Sequence, residues 1–135
     1  MKKGRIINQP IAAVISGLGH TDAIAIADAG LPIPASTARI DLALTIGVPS
    51  FLQTLQVVLE ELFVEKAIVA EEMKSVSPQI FDAVSQILVD VPMELVPHVV
   101  FKEQTADSKA IIRTGEFTPY ANVILVAGAW GFDLD

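Results

Sequence analysis

The chain has 135 residues, the length of one ordinary domain with a single hydrophobic core. Its net charge of −7 leaves no basic stripe for a phosphate backbone to follow, which argues against nucleic-acid binding. The absence of cysteine excludes disulfides, thiolate nucleophiles and Cys-ligated zinc. The apolar fraction of 52% is high, yet no stretch has the roughly 18 uninterrupted apolar residues that a transmembrane helix requires. We therefore expect the surplus apolar surface to be buried between subunits.

The first half of the chain alternates between helical and extended patterns. A helix predicted over 10–18 precedes a buried strand at 23–27 and a half-exposed strand at 39–44. Ser50 can cap a helix that extends to about Leu62, because apolar residues recur there at spacings of three and four.

The same alternation continues in the second half. A buried strand is predicted at 66–70, and Ser77 followed by Pro78 begins a helix that extends to about Leu88. Further strands are predicted at 94–96, 110–113 and 122–127. Because some later connections are too short for crossover helices, this order predicts an α/β fold: a single layered domain, residues 1–135, with a mixed, largely parallel β-sheet flanked by helices.

Both histidines of the chain lie beside predicted element ends. His20 follows the first helix, within Gly19-His20-Thr21-Asp22, and His98 follows the strand at 94–96. Histidine exchanges protons near neutral pH, as the opening and closing of a hemiacetal requires. The alternative for a histidine in such a turn is a structural or surface role, and Asp22 is expected to anchor the turn.

Polar groups also follow or precede the buried strands. Asp28 directly follows the strand at 23–27, where it could accept sugar hydroxyls, orient an imidazole or only cap the loop. The segment 113–122 includes Tyr120 and Asn122, which could bond hydroxyls, and an aromatic face suits the apolar side of a sugar ring. The alternative for this segment is a tight, well-bonded turn with Tyr120 packed inward.

Several other site classes lack their sequence patterns. There is no Walker loop, no G-x-G-x-x-G and no G-x-S-x-G context for a serine nucleophile. The histidines and aspartates do not have the H-x-x-x-H or H-E-x-x-H spacing of a metal site. We therefore expect no bound metal.

These residues together resemble the D-ribose pyranase family. The resemblance lies in Gly19-His20-Thr21-Asp22, in the segments 26–32 and 113–122, in Arg39-Ile40-Asp41-Leu42, and in His98 with Lys102. It covers most of the chain and is weaker between about 71 and 95. The stretches Gly30-Leu31-Pro32 and Thr118-Pro119-Tyr120 point to the ribose branch rather than to the related L-fucose mutarotases.

The resemblance implies an activity and a set of site residues. The implied reaction is the interconversion of β-D-ribopyranose and β-D-ribofuranose without a cofactor, with His20 as general acid and proton donor. The implied assembly is a cytoplasmic, ring-shaped homo-oligomer, a decamer of two pentameric rings with sites near subunit boundaries. The residues implied to bind the sugar are Asp28, His98, Lys102, Tyr120, Ala121 and Asn122.

Three other functions remain open on the sequence. They are a mutarotase for another sugar such as L-fucose, a non-catalytic sugar-binding partner of a transporter, and a purely structural ring protein. Residues 129–135 extend beyond the usual end of the family, and there Trp130 is expected to cover either a subunit interface or a pocket rim.

Overall fold

The computed structural model describes residues 1–132, and its centre is one six-stranded sheet. Its order is β2-β5-β1-β6-β3-β4, and β6 is antiparallel to both of its neighbours whereas the other adjacent strands are parallel. The predicted mixed, largely parallel sheet is therefore confirmed. The strands are β1 (Ala23–Ala27), β2 (Ala38–Asp41), β3 (Val64–Ala70), β4 (Met93–Val96), β5 (Ala110–Arg113) and β6 (Val123–Ala127).

Five helices flank the sheet in the described part of the chain, and none of them is long and apolar enough to cross a membrane. Local caps begin two of them, since Asn8 and Ser50 each accept a hydrogen bond from a backbone N–H three residues later. The helices are α1 (Gln9–Gly17), α2 (Phe51–Leu59), α3 (Glu71–Val76), α4 (Pro78–Ile87) and α5 (His98–Thr105).

The central strands are buried on both faces. In β1, Ile24 and Ile26 pack into one apolar cluster, whereas Ala25 and Ala27 pack into another. Helices α1 to α4 cover the first face, and α5 covers the second through Phe101. Burial on both faces explains why the sequence of β1 is an uninterrupted apolar run rather than an alternating one. The first face is covered by side chains that include Ile11, Phe51, Leu55, Val58, Met73 and Val84.

Two predicted elements are shorter than their patterns suggested. The strand predicted at 39–44 ends at Asp41, because the Asp41 carboxylate accepts the N–H of Ala43 and turns the chain, leaving Leu44 exposed. The helix that begins after Ser50 ends at Leu59 rather than at Leu62.

Helix α5 was not predicted, and it is the element that carries His98. Its first N–H groups lack a cap from the preceding residues; instead the Glu72 carboxylate, 26 residues earlier in the chain, accepts the N–H of His98. A cap supplied from another element leaves no local signal for a helix start. The short α3, which contains Glu72, was also not predicted as a separate helix.

Candidate active site

A cavity of about 260 Å³ lies where β1 ends and β6 begins. Asp28 directly follows β1, His98 begins α5 after β4, and Tyr120 precedes β6. The direction of these strands brings all three side chains to one edge of the sheet, as is common for ligand sites in α/β folds. The lining residues are Asp28, Gly30, Leu31, Pro32, His98, Pro119 and Tyr120.

Asp28 is held by hydrogen bonds on both carboxylate oxygens. Its Oδ1 accepts the N–H of Gly30 at 2.9 Å, and its Oδ2 accepts Asn122 Nδ2 at 3.2 Å. The Asn122 Oδ1 in turn accepts the N–H of Asp28 at 2.8 Å. Burial raises the pKa of Asp28, and the hydrogen bonds from Gly30, Asn122 and Leu31 oppose that rise. Asp28 thus caps its loop and also presents a positioned acceptor to the cavity.

His98 is fixed by its backbone and by two aromatic rings. Its N–H donates to both oxygens of Glu72, at 3.0 and 3.1 Å. The Tyr120 ring meets the imidazole edge-on with 4.9 Å between centroids, and Phe101 is stacked at 6.2 Å. The imidazole is therefore held rigidly beside the aromatic wall of the cavity.

Burial lowers the pKa of His98, and the positive charge of Lys102 lowers it further. The carboxylates of Glu72 and Asp28 oppose this change. Near neutral pH the imidazole is consequently neutral, with one nitrogen able to donate a hydrogen bond and the other able to accept one. Lys102 itself is exposed, one helical turn after His98, and does not line the cavity.

The loop before β6 has a conformation set by contacts outside it. Tyr120 has a φ of 62°, which is uncommon for a residue other than glycine. The buried Ser77 hydroxyl donates to the Pro119 carbonyl at 2.6 Å and so anchors the preceding residue. The Ala121 side chain is fully buried in the core, and Asn122 is 1% exposed with its amide bonded to Asp28. Of these residues, Tyr120 faces the cavity directly, whereas Asn122 positions Asp28.

The rest of the segment 113–122 is the well-bonded turn that was considered as its alternative. The Glu116 carboxylate accepts the N–H of Phe51 and both the N–H and the hydroxyl of Thr118. The Arg113 guanidinium bonds Asp41 and the carbonyl of Ala29. These contacts join the loop to α2, β2 and the Asp28 loop, so the cavity wall is rigid.

His20 lies at the opposite end of β1, in the turn after α1. The Asp22 carboxylate accepts the N–H of Gly19 at 2.9 Å, which confirms the expected anchoring role of Asp22. Thr21 has a φ of 71°, and its N–H donates to the Ala127 carbonyl at 2.9 Å. A β-branched residue at positive φ costs about 1–3 kcal/mol and persists only where the surroundings require it. The turn therefore presents His20 in one fixed position.

Glu65 is the partner of His20. The Nε2 atom of His20 lies 2.8 Å from Oε2 of Glu65, which is the second residue of β3. Sequence reasoning missed this residue, because the two are 45 positions apart and nothing local marks the contact. The contact follows from the sheet order: β1 and β3 run in the same direction on either side of β6, so their first residues share one edge.

His20 borders a second cavity, of about 370 Å³, with an aromatic rim. Phe63, Trp130 and Phe132 line it together with His20, and Trp130 is 71% exposed. Trp130 thus lies at a pocket rim, one of its two expected positions. The remainder of the C-terminal extension, residues 133–135, lies outside the described residues.

One chain does not bring His20 to the cavity that Asp28 lines. The five residues of β1 separate the two side chains, and a strand of that length spans about 16 Å. The structure therefore gathers Asp28, His98 and Tyr120 at one edge of the sheet, with Asn122 behind them, and places His20 with Glu65 at the other.

Comparison with known proteins identifies the family of this fold and site. The RbsD / FucU transport protein family matches residues 1–130. The chain belongs to this family. The D-ribose pyranase of Geobacillus thermodenitrificans is 51% identical over 128 residues, which cover 95% of this chain and 97% of that protein. The D-ribose pyranase of Escherichia coli is 52% identical over 136 residues, with 95% and 98% covered.

Solved structures of the family have the same fold. The structure of Bacillus subtilis RbsD complexed with D-ribose matches this chain with a TM-score of 0.94 and 47% identity, over 96% of this chain and 98% of that one. The fucose mutarotase of Streptococcus pneumoniae in complex with L-fucose matches with a TM-score of 0.79 and 21% identity, covering 96% and 99%. The resemblance drawn from the sequence is thereby confirmed, and the fucose enzyme supports the fold alone.

Proposed function

We propose that this chain is a D-ribose pyranase, an isomerase that interconverts β-D-ribopyranose and β-D-ribofuranose without a cofactor. The observation that carries the proposal is the sequence identity to D-ribose pyranases, which is 51–52% over 95% of the chain. The fold of the chain also matches that of RbsD complexed with D-ribose. The much lower identity to the fucose mutarotase favours ribose over L-fucose.

The cavity at the end of β1 has the groups that a sugar requires. The Asp28 carboxylate accepts hydroxyl hydrogens, and the neutral imidazole of His98 can bond a hydroxyl through one nitrogen, because its Nδ1 is buried. The Tyr120 ring offers an apolar surface to the C–H face of the sugar. Hydrogen bonds at several hydroxyls keep the open-chain form bound while its carbon–carbon bonds rotate between ring opening and ring closure.

His20 supplies the acid–base chemistry in this proposal. In ring opening, His20 takes the proton of the anomeric hydroxyl as the bond between C1 and the ring oxygen breaks, and it then donates that proton to the ring oxygen. In closure, the C4 hydroxyl oxygen rather than the C5 oxygen attacks the aldehyde, and the protons move in the reverse sense. Such assistance typically accelerates a reaction by about 10²- to 10⁴-fold.

We infer that a neighbouring copy of the chain provides His20 to each sugar cavity, because one chain holds His20 and Asp28 at opposite sheet edges. Exposed apolar side chains support self-association: Leu44 is 81% exposed and Ile46 is 72% exposed. The assembly that we propose is the ring-shaped decamer of the sequence analysis, acting in the cytoplasm.

Saturation-transfer NMR on D-ribose tests the activity directly, since it measures exchange between the pyranose and furanose signals. We expect the intact protein to accelerate this exchange and His20→Ala to abolish most of the acceleration. Equal exchange with His20→Ala would remove His20 from the mechanism. Tight ribose binding without acceleration would instead favour the transporter-linked binding protein, and faster exchange of another sugar would favour a different mutarotase.

A mixing experiment tests the shared site. His20→Ala and Asp28→Asn are each expected to be inactive. When the two variants are co-assembled in equal amounts, we expect about one quarter of the intact activity. In a random mixture, about one quarter of the sites combine an intact His20 from one chain with an intact Asp28 from its neighbour. A mixture as inactive as its two components would show that both residues act within one chain.

A further inference from the structure

The pairing of His20 with Glu65 determines which nitrogen of the imidazole is free. A carboxylate only accepts hydrogen bonds, so the Nε2 atom that lies 2.8 Å from Glu65 Oε2 must carry a hydrogen. In the neutral imidazole the lone pair is then on Nδ1. Among residues 1–132, Nδ1 of His20 makes no hydrogen bond.

The exposed position of the His20–Glu65 contact favours a role in function over a role in stability. The His20 and Glu65 side chains are 54% and 39% exposed, and exposed ion pairs contribute little to stability. The turn that carries His20 nevertheless keeps Thr21 at a strained positive φ, and two hydrogen bonds from Gly19 and Thr21 hold it in place. The turn thus holds the backbone at His20, and the contact with Glu65 orients its imidazole.

We propose that Glu65 is the positioning residue of the acid–base centre and that Nδ1 of His20 is the atom that exchanges protons with the sugar. This proposal rests on the proposed function. Nδ1 removes the proton of the anomeric hydroxyl, whose electron pair forms the C1 carbonyl as the bond to the ring oxygen breaks. The imidazolium then returns the proton from Nδ1 to the ring oxygen, so that no proton is gained or lost.

Glu65 acts in two ways during this cycle. Its hydrogen bond holds the tautomer with the Nδ1 lone pair in place before the reaction, and its negative charge stabilises the imidazolium that forms in between. Neither effect requires Glu65 to touch the sugar. The same arrangement, a base oriented by a third group on its other nitrogen, recurs in nucleophilic and acid–base sites generally.

The tautomer can be measured without any activity assay. The chain has two histidines, so protein labelled with ¹⁵N-histidine gives two imidazole spectra, and His98→Gln assigns them. Solid-state ¹⁵N NMR of sedimented protein applies whatever the size of the assembly. We expect neutral His20 to carry its hydrogen on Nε2 and Glu65→Ala to give a mixture of tautomers. A His20 with its hydrogen mainly on Nδ1 would overturn the proposal.

Ring-form exchange kinetics test the role of Glu65. Glu65→Gln is expected to slow exchange by about 10- to 100-fold while the protein stays folded and still binds ribose. In a His20→Ala background the same change should alter the remaining rate by less than about twofold, because Glu65 acts only through His20. Equal slowing in both backgrounds would show a merely structural role and refute the assignment.

Glu61→Gln is the matched control. Glu61 lines the same cavity as His20 but makes its ion pair with Lys2 rather than with the imidazole. Glu61→Gln removes one negative charge from the same cavity, and we expect it to leave the ring-form exchange rate within about twofold of that of the intact protein. Slowing by Glu61→Gln equal to that by Glu65→Gln would assign the effect to net charge and contradict the proposal. If the intact protein failed to accelerate exchange, the proposed function would fail, and the ¹⁵N measurement would still decide the tautomer.

Discussion

Replacing Asn122 by aspartate changes a single group directly behind Asp28, which lines the cavity at the end of β1. Asn122 is 1% exposed and nearly isosteric with aspartate, so the fold can accommodate the change. The remaining Oδ1 can still accept the N–H of Asp28, as it does at 2.8 Å. The donor that lies 3.2 Å from Asp28 Oδ2 becomes an acceptor oxygen, which places two carboxylates against each other.

Repulsion between these carboxylates sets the magnitude. Two unit charges 3.2 Å apart interact by about 5 kcal/mol at an effective dielectric constant of about 20. Solvent at the cavity mouth reduces this to about 2–3 kcal/mol. The pair responds by retaining one proton, so its apparent pKa lies above that of an aspartate in the unfolded chain. A group whose pKa is higher in the folded than in the unfolded chain stabilises the fold at a pH below its unfolded pKa, which is about 4 for aspartate. That stabilisation is lost as the pH rises through the pKa of the folded state.

We therefore expect Asn122→Asp to differ little from the intact protein near pH 4 and to be less stable by about 2–3 kcal/mol above pH 7. Urea unfolding at fixed protein concentration and several pH values measures the difference. Asn122→Ala is the control, because it loses the same amide without adding a charge and should show a much weaker dependence on pH. A pH-independent loss in Asn122→Asp would refute the contact between the two side chains.

Three other substitutions test the rest of the site. Gly115→Ala should cost about 1–3 kcal/mol in urea unfolding, because a Cβ there would collide with backbone atoms of Thr45 and Val48; an unchanged midpoint would contradict that close approach. Ser77→Ala should weaken ribose binding in calorimetry by about 3- to 10-fold through the loop of Tyr120 while costing about 1 kcal/mol of stability, and unchanged affinity would exclude this anchoring. Because burial lowers the pKa of His98, stability should fall as the pH drops below its unfolded value of about 6.5, and His98→Gln should lose this part of the decline; parallel curves for both proteins would argue against it.

Elements with local signals were predicted well. The apolar run of β1 and the Ser50 cap of α2 occur where the sequence indicated, because a buried strand and a capped amphipathic helix depend on neighbouring residues. Helix α5 depends on the Glu72 carboxylate from a distant segment, and the sequence around His98 contains no sign of it. The end of β2 was misplaced for a similar reason, since the side chain of Asp41 interrupts an otherwise regular alternation.

The candidate site also has a part that the sequence predicted and a part that only the structure showed. Asp28 and Tyr120 were identified from polar groups at strand ends, and the structure places both on one cavity. The hydrogen bonds by which Asn122 holds Asp28 connect residues 94 positions apart, and they become visible only when β1 and β6 pair. Whether each of these residues binds sugar is a prediction that the NMR and binding experiments will test.

The sequence by itself determined which residues are candidates for the site, because His20, Asp28 and Tyr120 stand in short polar patterns beside predicted strands. It also determined the α/β class, since apolar runs and helix caps are local properties. Only the tertiary structure decided which of these residues meet. Strand β1 holds His20 and Asp28 apart by its own length, and the antiparallel insertion of β6 between β1 and β3 brings Glu65 to His20. Strand order and register arise from pairing across the whole chain, so they decide contacts that no local pattern encodes.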